Sequence, residues 1–321
     1  MNGFPLLISD STDPSLNLAL EEHLIGEGMN CIYLWCNEPT IVIGRNQNPY
    51  RECNLSKLEE DHVHLERRRS GGGAVYHDLG NLNFTIISEK TEDAVERNFA
   101  FVSRVLGTFG IDAEVSGRND LEVDGLKISG SAFFEDGSVF CHHGTLLVNV
   151  DMSRLSEYLK PSKLKLESKG IDSVRARVAN LSEFIPGIAV SDVVDAFIRE
   201  ASADVRHLST FDIESLEGIS PAIERYRSWK WTYGESPEYN VKLEHRFNWG
   251  LVEVLFFVEN GIVRECRIYT DSLETGGFDE LAYMLEGIRF SRASILSAMG
   301  RCALPATVME DIRALFCSNF D

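Results

Sequence analysis

The chain has 321 residues, 44% of them hydrophobic and 25% charged, which is typical of a globular protein long enough for two domains and excludes disordered and fibrous classes. With a formal net charge of −19, the chain lacks the basic surface that nucleic-acid-binding proteins need, so we expect no nucleic-acid partner. No apolar run has the length of a membrane span, no signal or transit peptide is recognisable, and the seven scattered cysteines include no C-x-x-C pair. We therefore expect a soluble, cytoplasmic protein with no membrane partner.

The first predicted element is a helix that begins at Pro14, where Asp13 can cap it and an apolar stripe follows. The stripe consists of Leu16, Ala19, Leu20, His23 and Leu24. Runs rich in β-branched and aromatic residues predict strands at 31–36, 40–43, 62–67, 74–76 and 82–88. A long helix is predicted over 91–109, with one apolar face made of Val95, Phe99, Val102, Val105 and Leu106.

A glycine-rich segment lies between two of these strands. Gly71, Gly72 and Gly73 allow the backbone to approach a ligand closely and to turn its N–H groups toward an anion. The preceding residues, Arg67 to Ser70, supply guanidinium and hydroxyl donors for carboxylate or phosphate oxygens. The alternative is a glycine-rich hairpin beside an exposed basic strand. The usual P-loop and dinucleotide fingerprints are absent, so any nucleotide binds in another way.

Asp124-Gly125 predicts a two-residue hairpin turn, which pairs Glu122 with Lys127 and Asp120 with Ser129 on one face. The carboxylates and the ammonium group could hold a magnesium-bound nucleotide and a substrate oxygen. Alternatively, Glu122 and Lys127 form an ordinary exposed ion pair.

His142 and His143 follow Cys141 in a strand predicted over 138–150. Because side chains alternate across a strand, one histidine is expected to face the core and the other a site. A metal site would need further ligands, and Cys141 is more simply a buried structural cysteine. Helices are predicted at 153–159 and 191–203. Between them, Gly170 and its polar neighbours mark the segment 169–178 as a loop, which either closes over an anion or is a solvated surface loop.

The C-terminal part predicts a three-stranded meander at 241–247, 251–258 and 262–269, followed by helices at 278–287, 292–299 and 306–317. Aromatic residues give way to turn residues near 229–237, which suggests a boundary there. Because strands and helices do not alternate regularly, we predict an α+β fold with two domains, 1–237 and 241–321.

Taken together, these motifs resemble those of lipoate–protein ligases. The matching segments are 11–14, 17–22, 44–49, 67–75, 80–83, 119–120, 127–132, 142–147 and 169–178. The resemblance implies a large mixed-sheet catalytic domain of the biotin/lipoate ligase type with a small C-terminal α+β accessory domain. It also implies that lipoate and ATP, with magnesium, give lipoyl-AMP and pyrophosphate. The lipoyl group would then pass to a lysine on lipoyl domains of 2-oxoacid dehydrogenase acyltransferase subunits or on the glycine-cleavage carrier protein.

By this resemblance, Lys127 is the catalytic residue that contacts carboxylate and α-phosphate oxygens, and Asp120 lies by magnesium. The expected lipoyl-AMP-binding residues are Arg68, Ser70, Gly71, Gly72, Gly73, Ala74, His77, Asn81, Asn119, Asp120, Ser129, Gly130, Ala132, His142, His143, Gly170, Ser173, Val174 and Arg175.

Other functions compete with this interpretation. A transferase could accept ready-made lipoyl-AMP, and an octanoyl- or lipoyltransferase could work through a cysteine thioester, although only Cys141 lies close to the motifs. A biotin ligase would need an arginine-glycine loop that is missing here. A lipoate-binding protein without catalysis is opposed by the presence of Lys127 and Asp120.

Overall fold

The computed structural model describes residues 3–117, 119–160, 178–202, 204–233, 239–273 and 276–319. Within these ranges, no helix combines the length and the apolar character that crossing a bilayer requires.

An eight-stranded mixed sheet organises the larger part of the chain. The strands are β1 (Leu6–Ser9), β2 (Cys31–Trp35), β6 (Asn81–Glu89), β7 (Glu114–Ser116), β8 (Asp120–Val123), β9 (Leu126–Asp136), β10 (Val139–Leu147) and β11 (Val205–Leu208). Their spatial order is β11-β1-β2-β6-β10-β9-β8-β7. The pairs β1–β11 and β1–β2 are parallel, and β2–β6–β10–β9 are antiparallel. The prediction of a mixed sheet in an α+β fold is confirmed.

One face of this sheet, which we call the core face, is covered by α4 (Ala94–Gly107) and α7 (Val190–Ala201). Phe84, Phe99 and Phe197 are buried there. The predicted face of α4 is right except for Val95, which is 37% exposed. The helix turns Ala94 and Asn98 inward instead, and Val95 lies about 100° around the axis from Ala94.

The opposite face, which we call the cavity face, is covered by α1 (Pro14–Gly26), α8 (Thr210–Glu214) and α9 (Ser220–Tyr226). Asp13 caps α1 by accepting hydrogen bonds from the Ser15 and Leu16 amides, as predicted. The predicted stripe is too narrow, because residues 14–21 are all buried. The helix is enclosed between the sheets rather than resting on a surface.

A second sheet of three strands packs beside the first. It contains β3 (Thr40–Ile43), parallel to β4 (His64–Arg67) and antiparallel to β5 (Val75–His77). Four short helices accompany these parts: α2 (Pro49–Glu52), α3 (Leu55–Glu60), α5 (Met152–Tyr158) and α6 (Leu181–Phe184). A further short helix is α10 (Trp229–Thr232). The glycine segment is the connection from β4 to β5.

The β8–β9 hairpin differs from the prediction at one point. Asp124 and Gly125 form the turn with φ of 51° and 75°, and Glu122 pairs with Lys127. A bulge at Leu121/Glu122 then shifts the register, so Asp120 pairs with Gly130 instead of Ser129. The prediction for Asp120 and Ser129 was therefore wrong, because two-residue turn geometry does not encode a bulge further along the ladder.

The C-terminal part contains the predicted meander, formed by β12 (Val241–Phe247), β13 (Gly250–Glu259) and β14 (Ile262–Thr270). The helices are α11 (Phe278–Leu285), α12 (Arg292–Ala298) and α13 (Ala306–Ser318), with a 3₁₀ turn at Met299–Arg301. Their buried side chains form a cluster of their own. Arg51 of α2 forms ion pairs with Glu244 and Glu253 of this part. The domain boundary at 237–241 stays a prediction.

Candidate active site

A cavity of about 310 Å³ lies on the cavity face, between the large sheet, the glycine segment and the residues that follow β14 in the C-terminal part. Its lining consists of Leu18, Trp35, Val42, Arg68, Gly72, Gly73, Ala74, Val75, His77, Asn83, Asn119, Lys127, Gly130, Ser131, Ala132, His143, Gly144, Thr145, Asp271 and Leu273. One part of the wall is aliphatic and aromatic, and the other carries an ammonium group, amides and hydroxyls. Such a division suits a ligand with an apolar body and an anionic end.

Many of the residues predicted from the sequence meet at this cavity. Those on its lining are Arg68, Gly72, Gly73, Ala74, His77, Asn119, Lys127, Gly130, Ala132 and His143. The predicted residues that are not on the lining are Ser70, Gly71, Asn81, Asp120, Ser129 and His142. Gly170, Ser173, Val174 and Arg175 lie outside the described residues.

Lys127 carries the charge at the polar end of the cavity. Its Nζ lies 2.8 Å from Oδ1 of Asp120, so its partner is Asp120 rather than Glu122. The bulge creates this pair by placing Asp120 opposite Gly130. A Cβ atom at Gly130 would lie 2.9 Å from Lys127 Nζ, so the absent side chain leaves room for the ammonium group. The Lys127 carbonyl accepts a hydrogen bond from the Ala179 amide at 2.9 Å, which fixes the strand from the other side.

Arg68 shapes the glycine segment from within. Its Nη2 donates to the carbonyls of Gly71 at 2.6 Å and Gly73 at 2.8 Å, and its Nη1 donates to Val42 at 3.1 Å. Burial lowers the pKa of Arg68 to about 10, against the opposing charge of Glu21, so the guanidinium is still protonated at neutral pH. The N–H groups on Nη1 and Nη2 of Arg68 thus donate to backbone carbonyls in and beside the glycine segment.

The C-terminal part covers the glycine segment. The Gly72 amide donates to the Ser272 carbonyl at 2.6 Å, and a Cβ atom at Gly71 would collide with that same oxygen. The Gly72 amide is therefore committed to this contact rather than to an anion, and the absence of a side chain at Gly71 makes the close approach possible. Within the described part of the chain, no hydrogen bond engages the amides of Gly73 and Ala74.

The adjacent histidines point to opposite faces of the sheet, which confirms the predicted alternation. His143 Nε2 lies 2.6 Å from Ser70 Oγ, and its Nδ1 lies 2.8 Å from Glu21 Oε1. His142 is packed on the core face, where its ring centroid lies 4.7 to 5.4 Å from those of Phe84, Phe99 and Phe133. Burial lowers the pKa of His142 to about 3. The expectation that His142 contacts the ligand was wrong, since strand alternation turns it into the core.

Three further expectations need correction. Asn81 is fully buried and donates to Asn83 Oδ1 at 3.1 Å, and it is Asn83 that reaches the cavity. Ser129 pairs with Leu121, which belongs to the core face, because the bulge moves it one place along the ladder. Ser70 is 1% exposed, and its hydroxyl group contacts Arg68 and His143 and not the cavity.

His77 stays neutral at the cavity wall. Burial lowers its pKa to about 3, with smaller contributions from Arg68 and His143. Its Nδ1 lies 3.3 Å from Asn37 Nδ2. A neutral imidazole at this position can exchange a hydrogen bond with a ligand without adding charge.

The surroundings of Cys141 and Asp120 bear on two other chemistries, a cysteine thioester and a bound metal ion. Cys141 is 1% exposed, and burial raises the pKa of its thiol above the ordinary value, which opposes a thioester mechanism. Glu21, Cys141 and His143 place ligand atoms within 4.8 Å of one another, but Glu21 and His143 already bond each other. Magnesium prefers oxygen ligands, and the carboxylate of Asp120, whose side chain is 29% exposed at the polar end, fits that preference.

Several cavity residues were missed by sequence reasoning. Leu18 and Trp35 read only as parts of a helix and a strand, and Asn83 was visible only within the matching segment 80–83. Asp271 and Leu273 come from the C-terminal part, and no local signal connects them to the glycine segment.

Comparisons with known proteins agree with this geometry. The family model of the lipoyl protein ligase A/B catalytic domain matches residues 13–202, and that of the bacterial lipoate protein ligase C-terminus matches residues 236–314. A lipoate-protein ligase A from Bdellovibrio bacteriovorus is 39% identical, with all of both chains covered.

Solved structures extend the comparison. The P. falciparum LipL1 structure in complex with lipoate is 29% identical, with a TM-score of 0.86 over 98% of this chain and 99% of that one. A lipoate-protein ligase A bound with ATP is 27% identical, with a TM-score of 0.61 over 73% of this chain and 99% of that one. A bipartite ligase from Thermoplasma acidophilum, studied with its E2 lipoyl domain, is 28% identical, with a TM-score of 0.63 over 75% of this chain and 100% of that one.

Proposed function

The chain belongs to the lipoate–protein ligase family, and from that premise we propose that it activates lipoate with ATP and attaches the lipoyl group to a protein lysine. The first step gives lipoyl-AMP and pyrophosphate, and the second gives a lipoyl amide and AMP. The observation that carries the proposal is the cavity itself, whose lining brings Lys127, Gly73 and Ala74 together with apolar side chains.

The two ends of the cavity suit the two ends of the substrate. Leu18, Trp35 and Val42 offer an apolar surface for the alkyl chain and dithiolane ring of lipoate. Lys127 lies at the polar end, where a carboxylate and an α-phosphate would meet. A cavity of about 310 Å³ is of the size that holds a small organic ligand.

Both half-reactions develop charge on oxygen, which these donors can stabilise. A lipoate carboxylate oxygen attacks the α-phosphorus of ATP, and the bond to pyrophosphate breaks. The acceptor lysine amine then attacks the acyl carbon, loses a proton, and releases AMP as the C–O bond breaks. Lys127 would face the anionic oxygens in both transition states, where prepositioned donors are most effective.

Asp120 would hold magnesium when the ion is bound. The ion would neutralise part of the phosphate charge. Asp120 in turn holds the ammonium group of Lys127 at 2.8 Å, so the same carboxylate orients the catalytic cation.

The same proposal includes the protein that accepts the lipoyl group and the roles of the two predicted domains. The family acts on lipoyl domains, and a lysine on such a domain of a 2-oxoacid dehydrogenase acyltransferase or a glycine-cleavage carrier protein is the acceptor we propose. Residues 1–237 would carry the chemistry and residues 241–321 would form an accessory domain. The cytoplasmic location stays a prediction.

The test is a pair of assays on the purified chain. Lipoate-dependent exchange of pyrophosphate into ATP, with magnesium and without acceptor, measures activation. Lipoylation of a purified lipoyl domain, started with lipoate and ATP or with lipoyl-AMP alone, measures transfer. We expect activity in both assays. Transfer from lipoyl-AMP without pyrophosphate exchange would identify a transferase instead, and the absence of both activities would refute the proposal.

A further inference from the structure

A continuous chain of hydrogen bonds runs from α1 to the glycine segment. Glu21 Oε1 lies 2.8 Å from His143 Nδ1, and His143 Nε2 lies 2.6 Å from Ser70 Oγ. Ser70 Oγ accepts from Arg68 Nε at 3.0 Å. Arg68 then holds the carbonyls of the glycine segment. We call this chain the Glu21 relay; its members are Glu21, His143, Ser70 and Arg68.

One tautomer of His143 pairs each donor of the relay with an acceptor. The Glu21 carboxylate also accepts from Thr85 Oγ1 at 2.6 Å, so both of these partners donate to it. With a proton on Nδ1, His143 donates to Glu21, and its Nε2 accepts the hydroxyl proton of Ser70. Burial alone would raise the pKa of Glu21, but the neighbouring His143 and the hydrogen bonds from His143 and Thr85 lower it below its ordinary value.

The order serine, histidine, carboxylate also occurs in hydrolytic triads, but the geometry argues against a nucleophile here. Ser70 is 1% exposed and is not on the cavity lining, so its Oγ cannot reach a substrate carbonyl. That oxygen already accepts from Arg68 and faces His143. A triad serine must present its oxygen to the substrate.

The end of the relay shows what it controls. Arg68 binds the carbonyls of Gly71 and Gly73. Each carbonyl shares a planar trans peptide with the next amide, so the amides of Gly72 and Ala74 are turned away from the guanidinium. Gly72 has a φ of 93°, a conformation that no other residue type adopts easily, so the segment needs an external support to hold one arrangement.

We propose that Glu21 is a positioning residue, which acts through His143 and Ser70 to fix Arg68 and thereby, through the Gly73 carbonyl, the direction of the Ala74 amide that receives the acyl-nucleotide anion. This inference rests on the proposed function. Glu21 belongs to the matching segment 17–22 and is buried on α1, and the relay gives this buried carboxylate a function.

The test compares variants along the relay with a matched control on the same helix. Glu21→Gln keeps the size of the side chain and removes its charge, and Ser70→Ala removes the hydroxyl group. Each should raise KM for lipoate or lower kcat by about 10- to 100-fold, with the melting temperature little changed. Ser70→Thr, which keeps a hydroxyl, should recover most of the activity. The control Glu22→Gln removes a carboxylate that pairs with Arg69 and Arg225, and its kinetics should stay at the wild-type level.

A double variant separates a relay from independent structural effects. Because Glu21 and Ser70 act on the same end point, Glu21→Gln combined with Ser70→Ala should be no slower than the slower single variant. Multiplied effects, or wild-type kinetics in Glu21→Gln, would overturn the proposal. Labelling of Ser70 by a fluorophosphonate probe would also overturn it, since that requires an accessible nucleophile.

A spectroscopic measurement keeps this proposal distinct from the proposed function. The Nδ1 proton of His143, followed by nuclear magnetic resonance of the ring-labelled full chain, should shift in Glu21→Gln and stay in place in Glu22→Gln. An unchanged signal in Glu21→Gln would refute the relay even in an active enzyme. If the wild-type chain fails to form lipoyl-AMP, the proposed function is refuted, whereas the signal of the His143 Nδ1 proton still tests whether the relay exists.

Discussion

The two faces of the large sheet give neighbouring side chains of the same strand different surroundings. On β10, His142 and His143 are neighbours in sequence and are both buried. His142 lies on the core face among Phe84, Phe99 and Phe133. His143 lies on the cavity face, between Glu21 and Ser70. The residue type therefore does not determine the role.

The difference lies in what surrounds each ring. On the core face the neighbours are aromatic, and substitutions there should act on stability. On the cavity face each nitrogen of His143 has a polar partner that leads to the ligand-binding loop, and substitutions there should act on catalysis. The following predictions test whether stability and activity separate between the two faces.

The largest effect is expected from Lys127→Ala on the cavity face. Removing the ammonium group should lower kcat/KM for lipoylation by at least 100-fold, about 3 kcal/mol of transition-state stabilisation. The side chain is about one-third exposed, so thermal unfolding should change little. Lys90→Ala, which breaks an exposed ion pair with Glu135, is the control and should remain fully active. Near-normal turnover of Lys127→Ala would remove the central role assigned to it.

Phe99→Ala on the core face should have the opposite signature. The fully packed ring leaves a cavity when removed, so the free energy of unfolding should fall by about 3 to 5 kcal/mol. Denaturant unfolding measures this loss, and kcat per folded molecule should be unchanged. Phe211→Ala, at a side chain that is 77% exposed, should alter neither quantity. A loss of kcat in Phe99→Ala without a loss of stability would contradict the separation of the faces.

His142→Leu should change how stability depends on pH. Burial lowers the pKa of His142 to about 3, whereas the unfolded chain protonates it near about pH 6.5. Between these values the unfolded state binds more protons, so the free energy of unfolding falls as the pH falls. His142→Leu should lose about 2 kcal/mol less than the wild type between about pH 7 and about pH 5. Equal slopes for the two proteins would show that His142 does not titrate in this way. Activity at neutral pH should be retained.

The smallest effects are expected from substitutions of two carboxylates on β8, Asp120 and Glu122. They differ in whether they form an ion pair with Lys127. Asp120 pairs with Lys127 and Glu122 does not. Asp120→Asn should lower the lipoylation rate by at least about fivefold, because it removes a partly exposed ion pair worth up to about 1 kcal/mol and also the proposed magnesium ligand. Glu122→Gln should have no measurable effect. A larger loss in Glu122→Gln than in Asp120→Asn would show that Lys127 forms its ion pair with Glu122 instead of Asp120.

Local signals predicted much of the fold. Asp124-Gly125 and Asn260-Gly261 each mark a turn that the structure contains, because φ above zero is needed at those positions and few residue types tolerate it. Asp13 before Pro14 predicted the start of α1 for a similar reason, since both act within one helical turn. Such features depend on residues that are adjacent in the chain.

What the sequence did not predict depends on contacts between distant segments. The bulge at Leu121/Glu122 moves Asp120 beside Gly130, and nothing in the turn specifies it. Leu273 reaches the cavity because the C-terminal part covers the glycine segment. The hydrogen bond from Gly72 to Ser272 likewise occupies an amide that glycine content alone assigned to a ligand.

The measurement that tests the central claim most directly is a crystal structure of the full chain with lipoyl-AMP. The phosphate oxygens are expected within about 3 Å of Lys127 Nζ and of the Gly73 or Ala74 amide, with the lipoyl chain against Trp35. Lipoyl-AMP bound elsewhere, with Lys127 and residues 73–74 free of contact, would contradict the account.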